Sequence, residues 1–170
     1  MTDPVMINRT LTLLRVAGAV AELRILHTGR TGTVSGYYDD IDAMAQAAAQ
    51  WSGQAPGVYM TLNPCTPALL ARSANRLTER AQQTTGDSDI VQRCWLPLDF
   101  DPVRPAGISS TDAEHDAAWQ RVRACYQWLK HRGWPAPLAA DSGNGGHLLY
   151  RQQSCSQIQI CTFRAGGWYL

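Results

Sequence analysis

At 170 residues, 45% hydrophobic and 17% charged, the chain has the composition of one globular unit able to bury a core, not of a disordered one. A net charge of +1 gives no whole-molecule attraction to nucleic acid, so any such binding must come from a local patch. No apolar stretch approaches the roughly 20 residues that span a bilayer, and five scattered cysteines without a Cys-x-x-Cys pair argue against a disulfide scaffold or a zinc site.

The start, Met1-Thr2-Asp3-Pro4, has no basic region leading into an apolar core, so the expected location is cytoplasmic, with no membrane partner. Leu11, Leu14, Ala17 and Ala21 recur at helical spacing and predict a helix over Asn8–Glu22. Leu23–His27 and Val34–Tyr38 read as short strands around the turn Gly29-Arg30-Thr31-Gly32. Asp39–Trp51 is Ala-rich and helical in pattern, and Gly57–Leu62 reads as a strand that Asn63-Pro64 ends. Thr66-Pro67 is a good helix start and predicts a helix to about Gln82. In that helix Arg72, Arg76 and Arg80 would line one face, which is either solvated or a contact for DNA.

The second half is better punctuated. Cys94–Asp101 reads as a strand, and Thr111-x-x-Glu114 is a capping box opening a helix over 112–132. Trp119, Val122, Tyr126 and Leu129 form its apolar stripe, Lys130, His131 and Arg132 suit its negative end, and Gly133 closes it. Strands Leu138–Ala140 and His147–Tyr150 follow, joined by a Gly-rich hairpin. A right-handed crossover leaves a gap between the first two of these strands. The His147 strand fills it, which sets His147 beside Asp99 and Asp101 in half of a split β-α-β sheet.

Asp99 and Asp101 alternate along a strand and so share a face. Two carboxylates that close repel unless a cation sits between them, and hard oxygen ligands suit Mg²⁺ or Mn²⁺ shared with substrate phosphates. The turn Asp141-Ser142-Gly143-Asn144-Gly145-Gly146-His147 lets backbone approach a phosphate closely. Duller readings stand beside these: Asp-x-Asp also caps turns, Asn-Gly is a common hairpin turn, and a lone His on a strand is often structural. Fourteen of the fifteen basic residues are Arg, which suits phosphate forks but also follows from GC-rich coding.

The order strand, Asp-x-Asp, helix, Ser-Gly-x-Gly-x-His, strand resembles the archaeo-eukaryotic primase superfamily, in its primase–polymerase branch common on plasmids, phages and other mobile elements. The stretch Gly57–Pro64, with Arg72 and Asn75 behind it, adds to the likeness, which spans roughly residues 25–151. The resemblance implies an α+β fold. An N-terminal α/β module (about 1–90) would pack on an incomplete ferredoxin/RRM-like split β-α-β sheet (about 91–151), together making a primase–polymerase-like catalytic domain over 1–151. It further implies template-dependent nucleotidyl transfer in replication of a plasmid or mobile element. The partners would be nucleoside triphosphates, a single-stranded DNA template and a helicase encoded nearby. Asp99, Asp101 and His147 would be catalytic, with Asp99 and Asp101 holding Mg²⁺ or Mn²⁺. Ser142, Gly143, Asn144, Gly145 and His147 would bind the nucleotide, and Arg30, Arg72 and Arg76 the DNA.

Such enzymes add a third carboxylate on a later strand, whereas the 19 residues after Arg151 contain none and shift sharply in composition. The tail 152–170 is therefore expected to be a frame-shifted or truncated end that impairs catalysis, and Gln157–Phe163 in it alternates like a strand. Two other readings stay open: a non-catalytic nucleotide- or DNA-binding replication module or decayed relic, and a metal-dependent glycosyltransferase, which also places Asp-x-Asp after an apolar strand.

Overall fold

Alternating side chains build the first of two three-stranded antiparallel sheets in this mixed α+β chain. In the computed structural model, which describes residues 3–26, 29, 32–105 and 107–152, β1 (Ala21–Leu26) pairs with β2 (Val34–Tyr38) and β3 (Gly57–Met60), in the order β2-β1-β3. Ala21, Leu23 and Ile25 join Val34 and Tyr38 in a core closed by α1 (Pro4–Leu14) and α2 (Ile41–Trp51), which contribute Leu11, Met44, Ala45 and Ala48. Asp40 caps α2, its carboxylate accepting from the amides of Asp42 and Ala43.

The other face of this sheet is sealed by the chain between β3 and the second sheet, around one buried acid. Glu22 Oε1 accepts from Arg24 Nε at 3.1 Å and Ser35 Oγ at 2.5 Å, and Oε2 from Arg24 Nη2 at 2.6 Å and Thr85 N at 3.0 Å. Burial alone raises the Glu22 carboxyl, but the bonds from Arg24, Ser35 and Thr85 outweigh it and hold the group below the ordinary carboxylate range.

Two expected helices are corrected. The first occupies Pro4–Leu14 rather than Asn8–Glu22: Asp3 caps its start by accepting from Val5 N, and Gly18 (φ +71°) turns the chain into β1, whose ladder takes Ala21 and Glu22. The second is absent beyond a 3-10 turn at Pro67–Arg72. Residues 73–81 instead lie along β2, with Tyr37 N donating to Ser73 O, Thr78 N to Ser35 O and Ala81 N to Thr33 O. Gly36 permits this, because a β-carbon there would strike the Arg76 carbonyl. Asn75 and Arg80 adopt positive φ, which no helix allows, so Arg72, Arg76 and Arg80 do not share a helical face.

In the second sheet β4 (Trp95–Phe100), β6 (Gly146–Arg151) and β5 (Leu138–Asp141) follow the order β4-β6-β5, with β6 antiparallel to both neighbours. The Gly-rich hairpin thus places β6 between β4 and β5, as its sequence predicts. Helix α3 (Asp112–Lys130) carries the expected capping box at Thr111 and Glu114. It ends where Trp134 N donates to Leu129 O and Gly133 N to Lys130 O, with Gly133 at φ +79°. Its stripe of Trp119, Val122, Tyr126 and Leu129 covers Leu96, Leu98, Phe100, Leu148 and Tyr150 on one face of the sheet.

The Asn63 side-chain amide ties the end of the first sheet to the start of β4. Asn63 Oδ1 accepts from Cys94 N at 2.8 Å and Trp95 N at 2.9 Å, while Trp95 Nε1 donates to Leu14 O at 2.6 Å. Arg30 and the tail segment Gln157–Phe163 lie outside the described residues.

Candidate metal and nucleotide site

Because α3 covers the row Leu96, Leu98, Phe100 and its partners Tyr150, Leu148, Gly146, the interleaved residues occupy the opposite face. That face carries three cross-strand rows. Asp99, His147 and Ala140 lie at one end, Pro97, Leu149 and Leu138 in the middle, and Trp95 with Arg151 at the far end. The far end is closed by the C-terminus of α1 at Leu14, whereas Asp99 and His147 stay near two-fifths exposed. A carboxylate–imidazole pair is thus presented on an open face beside an apolar floor.

Asp99 and His147 are direct register partners, with His147 Nε2 at 2.9 Å from Asp99 Oδ1. The two atoms are close without hydrogen-bond alignment, and Asp99 Oδ1 is enclosed with no hydrogen-bond partner. Asp101 follows one residue after the end of β4, exposed, its carbonyl oxygen accepting from Arg121 Nη1 at 3.4 Å. Among the described residues no three or more His, Cys, Asp or Glu side chains converge as a metal cage. Asp99 and Asp101 offer the hard carboxylate oxygens that Mg²⁺ or Mn²⁺ takes when phosphates and water complete its shell, but Asp99 Oδ1 is enclosed against His147, so a cation would use the other Asp99 oxygen or displace the ring.

The glycine turn lies at the same end of the sheet, and much of its hydrogen-bonding capacity is already used. Ser142 N donates to Gly145 O at 3.1 Å, Gly145 N to Ser142 Oγ at 3.0 Å, and Gly143 N to Asp141 Oδ1 at 2.7 Å. Asn144 Oδ1 accepts from Ser110 N at 3.0 Å, tying the turn to the segment that leads into α3. Its glycines answer to packing as well: a β-carbon on Gly145 would collide with the Phe100 carbonyl, and one on Gly146 with Val122 and Trp119. A phosphate received here would therefore replace the Asp141 carboxylate on Gly143 N.

Asp141 itself faces α3, where it meets His115 Nε2 at 3.0 Å. That contact, with the Gly143 amide, holds its carboxyl below the usual range. It is on the opposite side of the sheet from Asp99 and supplies no further ligand there. Arg72 and Arg76 belong to the other sheet, exposed beside β2, and Arg72 lies 6.0 Å over the Tyr37 ring. Asn75 serves the backbone, accepting from the amides of Asp39 and Asp40.

A concavity of about 310 Å³ is elsewhere: an apolar groove between α1 and β3 lined by Met6, Leu11, Val58 and Met60. Among the described residues no helix is long and apolar enough to cross a membrane. Sequence reading gives Asn63 only as a strand end, whereas its side chain binds the chain leading into β4, and it passes over Arg121, which reaches the Asp101 backbone. Neither has a distinguishing spacing in the chain. Comparison with protein-family models, with curated proteins and with solved structures finds no match.

Proposed function

We propose that the open face of the β4-β6-β5 sheet binds a nucleoside triphosphate with a divalent cation, for template-dependent nucleotidyl transfer of the primase–polymerase kind in plasmid or mobile-element replication. The observation that carries this reading is the pairing of Asp99 with His147 across β4 and β6, on the face without a helix and beside the Ser142–Gly145 turn. Asp99 and Asp101 hold the Mg²⁺ or Mn²⁺. The cation, when bound, neutralises phosphate charge and stabilises the oxygens that attack and leave in an in-line displacement. His147 donates a ring N–H to a phosphate oxygen, and the Asp99 carboxylate keeps its ring on this face. Ser142, Gly143, Asn144 and Gly145 form the wall against which the phosphates rest.

Calorimetry with nucleoside triphosphate and Mn²⁺ tests it. Wild type should bind only with the cation, and an Asp99→Ala, Asp101→Ala double variant should not bind while keeping the wild-type fold. Unchanged affinity in the double variant refutes the assignment.

A second reading, a nucleotide- or DNA-binding replication module without catalysis, is favoured by one observation. Asp141, the acid nearest the turn, is engaged with His115 on the far side of the sheet. Primer extension separates the two, since binding without incorporation leaves the module reading.

A further inference from the structure

The charges of α3 are sorted along its length. Asp112, Glu114 and Asp116 lie in its first turns. From Ala117 to Ala140, in contrast, the chain carries Arg121, Arg123, Lys130 and Arg132 and no Asp or Glu. The helix dipole favours basic groups in the last turn alone, so it does not account for Arg121 and Arg123.

Two partly exposed aromatic rings are set among these cations, Trp134 packed edge-on against Tyr150. Trp128 is 45% exposed and Trp134 38%. The Arg132 guanidinium stacks 3.5 Å from the Trp128 ring centre, fixed there by a bond from its Nη1 to Trp128 O at 3.3 Å. Arg121 and Trp128, at i and i+7, lie on one flank of α3, clear of the buried stripe Ala118, Val122 and Leu129, and Arg132, in the turn just past the end of α3 at Lys130, joins that flank through its stacking on Trp128. That flank spans about 16 Å. Its upper end is at the edge of β4, where Arg121 reaches the Asp101 carbonyl; Asp99 and His147 lie round that edge, on the opposite face of the sheet.

Cations at intervals, with an aromatic platform between them, match a strand whose phosphates are regularly spaced and whose bases have exposed faces. We infer that the Arg121–Trp128–Arg132 flank of α3 binds single-stranded nucleic acid and leads it to the Asp99–His147 end of the sheet. Arg121 and Arg132 take phosphates, and one base stacks on the exposed Trp128–Arg132 pair. The direction of the strand rests on the nucleotidyl-transfer reading, whereas the surface itself stands on charge and exposure alone.

The test is fluorescence anisotropy of a labelled oligothymidylate with the full chain over a salt series. Wild type should bind more weakly as salt rises. Trp128→Ala should lower affinity about 5- to 150-fold, the range for loss of one stacked base, and Trp128→Phe should restore most of it. Arg132→Gln should reduce the slope of log affinity against log salt by about 0.7, the value for one single-strand phosphate contact. Both residues changed are exposed, and circular dichroism checks the fold. Wild-type affinity in both Trp128→Ala and Arg132→Gln overturns the inference, as does absence of oligonucleotide binding by wild type. Equal binding of a base-free polyanion, insensitive to Trp128→Ala, overturns it in favour of simple charge attraction. Calorimetry of Mn²⁺–nucleotide binding separates the two proposals. Trp128→Ala should leave that titration unchanged, and failure of the Asp99, Asp101 variant to alter it would defeat the site while leaving this surface intact.

Discussion

Replacing Glu22 by Gln isolates the charge at the centre of the first sheet while preserving shape. The carboxylate is fully buried and accepts four hydrogen bonds, two on each oxygen. A primary amide turns one of those oxygens into an NH₂ aimed at two donors. Ser35 can rotate its hydroxyl to accept, but Arg24 and the Thr85 amide can only donate. Bonds to a charged acceptor contribute about 1.5–3 kcal/mol each, and Arg24, 29% exposed, recovers part of its share from water. The expected loss is about 2–4 kcal/mol, or about 5–15 °C in Tm for a chain of this size. Thermal and urea unfolding at neutral pH measure it.

The pH dependence carries a sign. The folded carboxyl lies below its unfolded value near 4.5, so its contribution is present above that value and lost as pH falls through the folded one. The gap between wild type and Glu22→Gln should be constant around neutrality and close in acid. A Tm drop under about 2 °C, or a gap that persists unchanged in acid, would refute the account of the network.

Asn63→Ala should strand the amides of Cys94 and Trp95 and cost about 2–4 kcal/mol in urea unfolding, with Asn63→Asp milder because it keeps the acceptor. Tyr38→Phe should be neutral or stabilising by about 1 kcal/mol at pH 7, because the buried hydroxyl has no partner. Burial pushes that phenol up to about 12, so wild type should lose stability as pH rises from 10 towards 12, and the variant should lose less. Gly145→Ala should force the turn away from the Phe100 carbonyl, lowering stability by about 1–3 kcal/mol and weakening cation-dependent nucleotide binding in the same calorimetric titration.

Local rules were readable where they agreed with the tertiary structure. Thr111 with Glu114, Gly133, and the stripe through Val122 and Leu129 locate α3 to within two residues. The Gly-rich hairpin foretells β6 between β4 and β5, and so the meeting of His147 with Asp99. The segment 66–82 misled because its helical start is real but its continuation serves β2. Ser73, Asn75 and Thr78 hold it there, and only the absence of a side chain at Gly36 hints at the approach. Asn63, whose partners Cys94 and Trp95 lie 31 and 32 residues further along the chain, leaves no periodic trace. The glycines at 145 and 146 were read as room for phosphate, whereas packing against Phe100, Val122 and Trp119 already requires them. That Asp141 turns towards α3 is not legible either, because spacing does not tell which face of a sheet an edge residue takes until the register is known.

That register has a consequence for how the site comes into being. Slipping β6 by one residue against β4 would carry His147 to the helix side and Leu148 into water, inverting the hydrophobic partition of the whole strand. Leu148 and Tyr150, both 2% exposed, therefore act as a ratchet on a residue that they never touch across the sheet. The juxtaposition of Asp99 and His147 arises together with core burial or not at all. Substitutions that loosen Leu148 should accordingly reduce the fraction of molecules that possess a site, rather than grade the quality of the site in each molecule.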